Sequence, residues 1–88
     1  MSSAEKVVVY TMTNCPYCLQ AKQLLTRRGV PFQEILVAED DDAKWDELFA
    51  RSGMKTMPQI FNGEDLIGGY SQLATLDQKD QLKSLLLK

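Results

Sequence analysis

The chain has 88 residues and two cysteines, Cys15 and Cys18, which stand three positions apart in the stretch TNCPYCLQAKQLL. A pair at this spacing can hold a metal, close a structural disulfide, or cycle between dithiol and disulfide. A structural zinc site takes four Cys or His ligands. This chain supplies two cysteines and no histidine, so ligand arithmetic argues against a site built by one copy, and we assign no metal residue. A static disulfide is disfavoured where thiols are kept reduced, as in a cytosol. Two buried, inert cysteines are the plainest alternative. Beside a β-α-β pattern, however, Cys-x-x-Cys has a specific use as a redox couple.

That use depends on what holds the pair. KVVVYT, residues 6–11, is β-branched, suited to a buried strand and too short for a helix. After Cys15 the apolar period becomes helical, with Cys18, Ala21, Leu24 and Leu25 on one face. Arg27 and Arg28 fall in the last turn, and Gly29 suits the left-handed position that follows. Cys15 therefore sits at the mouth of the helix. Its sulfur faces unpaired backbone N–H groups and the positive dipole end, both of which favour a thiolate. The thiolate is the nucleophile, and sites of this kind bring a thiol pKa from about 8.5 to about 3.5–7.5. Pro16 occupies the first turn, where a missing N–H costs nothing. Cys18 lies one turn further on the same face, within reach of a mixed disulfide on Cys15. Position assigns the roles: Cys15 attacks and Cys18 resolves.

The remaining elements follow from the same rules. Residues 30–37, VPFQEILV, read as a second strand with Pro31 at its start. The acidic residues Glu39, Asp40, Asp41 and Asp42 suit the start of a second helix. Trp45, Leu48 and Phe49 form its apolar stripe, and Ser52-Gly53 ends it. Asn62-Gly63 is a hairpin signal of type I′, joining strands at 58–61 and 65–67. Gly68-Gly69 closes the hairpin, and Ser71 caps a helix carrying Leu73, Ala74 and Leu76. Asp77 caps a further segment with Leu82, Leu85 and Leu86 inside. The order is β-α-β-α-β-β-α. It predicts an α/β fold with a mixed four-stranded sheet flanked by helices, opened by a right-handed β-α-β crossover. With no repeat or linker, residues 1–88 read as a single domain. A net charge of −2 offers no basic surface for nucleic acid. No apolar run approaches the roughly 18 residues of a membrane span, and residues 1–6 lack signal-peptide anatomy. The expectation is a cytoplasmic protein with neither nucleic-acid nor membrane partners.

Three motifs then carry a resemblance. CPYC at 15–18, TMPQIF at 56–61 and GGYSQL at 68–73 together resemble the glutaredoxin family of the thioredoxin fold, over nearly the whole chain. CPYC is similar to its dithiol class. The resemblance implies a thioredoxin-like fold and a cis Met57-Pro58 bond beside Cys15, leaving Met57 backbone groups free to pair with a peptide or glutathione. It implies a glutathione-linked thiol–disulfide oxidoreductase that reduces protein disulfides and glutathionylated thiols. Glutathione would be a co-substrate, with no bound cofactor, and the chain a monomer. The implied catalytic residues are Cys15 and Cys18. The implied binding residues are Tyr17, Thr56, Met57, Pro58, Gly69, Tyr70 and Ser71. The chain departs from the family pattern at Met12, where Lys is frequent, at Trp45, where Arg or Gln is frequent, and at Ser71 and Gln72, where Asp is frequent. Each change removes a charge that could pair with glutathione, which predicts weak binding, with Lys22, Arg51 and Lys55 as the cations to compensate. Two other readings share the motif. One is a redoxin electron donor recycled by thioredoxin reductase. The other is a non-enzymatic iron–sulfur module bridged by two subunits through Cys15 and glutathione.

Overall fold

β1, Val7–Thr11, is the strand on which the others are built. Val7, Val9, Tyr10 and Thr11 are all buried, because the strand has a neighbour on each side and helices over each face. The computed structural model describes residues 7–82. The elements that follow β1 are α1 (Pro16–Arg27), β2 (Gln33–Leu36), α2 (Asp42–Ser52), β3 (Gln59–Asn62), β4 (Asp65–Gly68) and α3 (Tyr70–Gln78). The sheet order is β2-β1-β3-β4. β1 runs parallel to β2, with Val9 opposite Glu34, and antiparallel to β3, with Val9 opposite Ile60. β3 and β4 form the antiparallel hairpin. This is the expected mixed four-stranded, thioredoxin-like α/β arrangement.

Strand alternation divides the core in two. Val7, Val9 and Ile60 pack with Ala21, Leu24 and Leu25 of α1 and Leu73 of α3. Tyr10 and Phe61 pack with Leu48 of α2, together with Cys18, Val37 and Met57. Local signals hold the helices in place. Asp41 accepts the Lys44 N–H at 3.2 Å to start α2, and Gly53, at φ 73°, donates to Phe49 O at 2.7 Å to end it.

Several local expectations are corrected by longer-range partners. β2 is shorter than residues 30–37, because the Val30 N–H closes α1 by donating to Leu25 O at 2.9 Å. Pro31 thus lies before the strand. No type I′ turn forms at Asn62-Gly63. Asn62 is drawn into the sheet opposite Val7 and Asp65, which leaves Gly63-Glu64 as the loop, with positive φ at Gly63 alone. Phe49 is 43% exposed, whereas Leu48 is fully buried. Ser71 is not a cap: Gly69 holds that position, and its N–H donates to Gln72 Oε1 at 2.9 Å. Asp77 lies within α3, where it accepts from Arg28 Nε at 2.6 Å and Nη2 at 3.1 Å. Leu82 is buried in the first core cluster. Lys6, Leu85 and Leu86 lie outside the described residues.

One polar junction ties the first β-α-β unit together. Glu34 Oε2 accepts from Thr11 Oγ1 at 2.8 Å and from Lys22 Nζ at 2.9 Å, joining β2 to β1 and α1. The Lys22 and Thr11 hydrogen bonds hold the Glu34 carboxyl below its ordinary 4.5. A carboxylate depressed on folding adds stability above its unfolded pKa, and that stability is lost as pH falls through the folded value. With 35% of the side chain exposed, the contribution is about 1 kcal/mol or less. The thermal midpoint of the parent protein should therefore exceed that of Glu34→Gln at neutral pH, and the two should converge below pH 4.5. Parallel midpoints across an acid titration would contradict a native-state role for this junction.

Candidate active site

The turn from β1 into α1 determines where Cys15 points. Asn14 takes a left-handed φ of 58°, a conformation Asn tolerates better than most residues. Cys15 follows in extended conformation (φ −111°, ψ 102°) as the residue that caps α1, with Pro16 opening the helix. The Cys18 N–H donates to Cys15 Sγ at 3.2 Å, so sulfur fills the place that a Ser or Asp oxygen fills in other helices. Cys15 and Cys18 are joined as a disulfide, their Cα atoms 5.2 Å apart. Their surroundings differ. Cys18 is 2% exposed within the α2-side core, while Cys15 is only partly buried. An outside reagent therefore meets Cys15 first, and Cys18 is shielded from everything except Cys15.

Two further segments close around this sulfur. The loop between α2 and β3 carries Thr56, Met57 and Pro58, with a cis Met57-Pro58 bond as the resemblance implied. Met57 O lies 3.7 Å from Cys15 Sγ. The start of α3 brings Gly69, Tyr70 and Ser71. Just before it, Gly68 sits at φ 127°, where a Cβ would meet Gln72 Cγ at 2.7 Å. Only glycine suits both the conformation and the approach of the Gln72 side chain.

Between these segments is a cavity of about 560 Å³, within the range of small-molecule sites. Cys15, Tyr17, Thr56, Met57, Pro58, Gly69, Tyr70 and Ser71 all line it, and Cys18 lies beneath. Met12 and Trp45 line it too, so the positions that depart from the family pattern face the cavity. Trp45 is also anchored, its Nε1 donating to Ala38 O at 2.9 Å. The Tyr17 and Tyr70 rings lie 6.0 Å apart at 33°, and Tyr17 is 59% exposed. Asn14, Pro16, Met54 and Gln72 are additional lining residues that sequence reasoning did not assign. Gln72 had a local signal, three residues beyond the capping glycine, whereas Met54 is placed by the fold alone.

Among the described residues the lining carries a single charged side chain, Lys55. Of the other two candidate cations, Lys22 pairs with Glu34. Arg51 lies 4.3 Å over the Phe61 ring and donates to Tyr10 Oη at 3.3 Å. Neither lines the cavity, and both are corrected as sources of compensating charge. Among the described residues, no helix is long and apolar enough to cross a membrane.

A partly buried sulfur that lines the cleft, with a sheltered partner one turn away, suits disulfide exchange. Comparison with known proteins agrees. The glutaredoxin family model matches residues 7–67. A glutaredoxin of Pseudomonas aeruginosa is 45% identical over 91% of this chain and 94% of its own length. Glutaredoxin 3 of Escherichia coli K12 is 45% identical over 91% and 95%. The solution structure of a Brucella melitensis glutaredoxin superposes with a TM-score of 0.83 at 41% identity, covering 97% of this chain and 91% of that one. A buckwheat glutaredoxin–glutathione complex gives a TM-score of 0.84 at 30% identity, over 92% and 76%. Identities of this size over nearly the full length of both partners mean that the chain belongs to the glutaredoxin family, and that it is a thiol–disulfide oxidoreductase.

Proposed function

We propose that glutathione drives this oxidoreductase and that Cys15 is its nucleophile. The supporting observation is the asymmetry of the pair: Cys15 opens to the cleft at the helix mouth, and Cys18 is 2% exposed behind it. In deglutathionylation, the Cys15 thiolate attacks the glutathione sulfur of a glutathionylated thiol. A Cys15–glutathione bond forms, the old S–S bond breaks, and the released thiolate takes a proton from solvent. A second glutathione thiolate then attacks the glutathione sulfur on Cys15. Oxidised glutathione leaves and Cys15 is thiolate again. With a protein disulfide, Cys15 forms a mixed disulfide and frees one substrate sulfur. Cys18 then attacks Cys15, the Cys15–Cys18 bond forms, and the second substrate thiol departs. Two glutathione molecules return the two electrons.

The cleft supplies binding. The Thr56-Met57 backbone pairs with the peptide portion of the ligand, beside Pro58. Gly69, Tyr70 and Ser71, at the N-terminus of α3, receive one carboxylate, and Lys55 receives the other. Tyr17 packs against the ligand across from Tyr70. Residues 1–88 act as a single domain and a monomer, in the cytoplasm, where glutathione is reduced. Purified protein should reduce a glutathionylated peptide with glutathione as donor. Turnover with thioredoxin reductase alone would favour a redoxin of the same fold.

Cys15→Ser should abolish every activity, because nothing replaces the first nucleophile. Cys18→Ser should keep deglutathionylation and lose reduction of protein disulfides, since glutathione can replace the resolving thiol in the first reaction only. Equal loss of both activities in Cys18→Ser would contradict the two routes.

Charge predicts affinity. With Met12, Trp45 and Ser71 at positions where three charged contacts are frequent, the loss at a water-exposed groove is roughly 1–3 kcal/mol. That corresponds to about tenfold to a hundredfold in affinity. Met12→Lys combined with Ser71→Asp should lower the apparent KM for glutathione, and Trp45 fluorescence should follow titration with a non-reactive glutathione analogue. An unchanged KM would mean that these positions do not meet the ligand.

A further inference from the structure

Gln59 is fully buried in β3, with its backbone opposite Tyr10 of β1. Its side-chain nitrogen donates to two carbonyl groups of the neighbouring loop, Met54 O at 3.1 Å and Thr56 O at 3.2 Å. Its Oε1 is buried without a partner among the described residues. Turning the amide over would aim that oxygen at the same two carbonyl oxygens, so the network fixes its orientation. The loop is also tied to α2: Met54 N–H donates to Ser52 Oγ at 2.9 Å, and Gly53 N–H to Phe49 O at 2.7 Å. Only Gln59 among these contacts ties it to the sheet, and it does so one residue before Met57, whose carbonyl lies 3.7 Å from Cys15 Sγ. An orphaned buried acceptor destabilises a core that an apolar side chain would fill without that penalty. Packing therefore gives no reason for a glutamine here, whereas two donors aimed at the loop do.

We propose that Gln59 is a positioning residue, whose amide holds the Thr56-Met57 backbone at the place where the main chain of a bound substrate pairs with it beside Cys15. This rests on the reading of the cleft as the glutathione and substrate site. The residue touches no substrate and acts through the loop.

The test compares the full chain with Gln59→Leu and Gln59→Glu, using a glutathionylated peptide and glutathione. Both variants lose the paired donors in a side chain of similar size. We expect KM for the peptide to rise about tenfold with kcat held within about twofold, the pattern of a lost contact made equally in ground and transition states. Alkylation of reduced Cys15 by iodoacetamide, which needs no loop backbone, should stay within about twofold of the parent rate. Amide exchange should quicken at residues 54–57 and not at Val9 or Ile60. An unchanged KM in folded variants overturns the proposal. So does a joint change in KM, Cys15 alkylation and Val9 exchange, which would mean general loosening. Failure of Gln59→Leu to fold also overturns it, by assigning the residue to core stability. An active parent with unaffected variants overturns this inference alone, whereas a parent inactive on the peptide overturns the glutathione reading and this inference with it.

Discussion

The first turn of an α-helix carries backbone N–H groups that no carbonyl within the helix can accept. In this protein one of them is given to sulfur: the Cys18 N–H donates to Cys15 Sγ at 3.2 Å. The same contact caps α1, fixes the direction of the Cys15 side chain and places hydrogen-bond donors where a thiolate needs them. The rest of the site depends on it. The helix sets Cys15 and Cys18 one turn apart, with their Cα atoms 5.2 Å from each other. The α2–β3 loop and the start of α3 form walls of the cleft that Cys15 lines.

The sheet supplies the rigidity that this local device lacks. β1 delivers the chain to Asn14 and Cys15, and β3, paired directly with β1, anchors the other wall through Gln59. Cys15 and the Met57 carbonyl are 42 residues apart in sequence and 3.7 Å apart in space because the strands that carry them are neighbours. Electrostatically the cleft is sparse. Among the described residues Lys55 is the one charged side chain on its lining, and it lies 5.0 Å from the Phe49 ring; Lys22 and Arg51 are used elsewhere in the fold. The rest of the described lining is apolar, aromatic or uncharged polar.

Local physics made part of this legible from sequence. The helix mouth at Cys15 and Pro16 and the glycines that follow α1 and α2 each depend on residues within one turn, so spacing alone located them, while the acidic cluster 39–42 marked the start of α2 without singling out Asp41. Where a distant partner competed, local signals failed. Asn62 reads as a turn residue, but pairing with Val7 draws it into β3. Asp77 reads as a cap, but Arg28, just past the end of α1, takes it. Ser71 lost the capping position to Gly69 because Gln72 reaches back to its N–H. The cleft residues of 56–58 and 69–71 were found through two motifs, TMPQIF and GGYSQL, and not through periodicity. Gln59 sits inside one of those motifs, yet nothing local marks it, because its partners are carbonyl groups of a loop that the sheet brings alongside.

We propose that the helix mouth makes Cys15, and not Cys18, the reactive thiol. The direct measurement is alkylation of the fully reduced protein at mildly acidic pH, with the modified residue located by peptide mass mapping. Cys15 should be labelled first, at a pH where an ordinary thiol, with a pKa of about 8.5, reacts slowly. Preferential labelling of Cys18, or equal labelling only at alkaline pH, would contradict it.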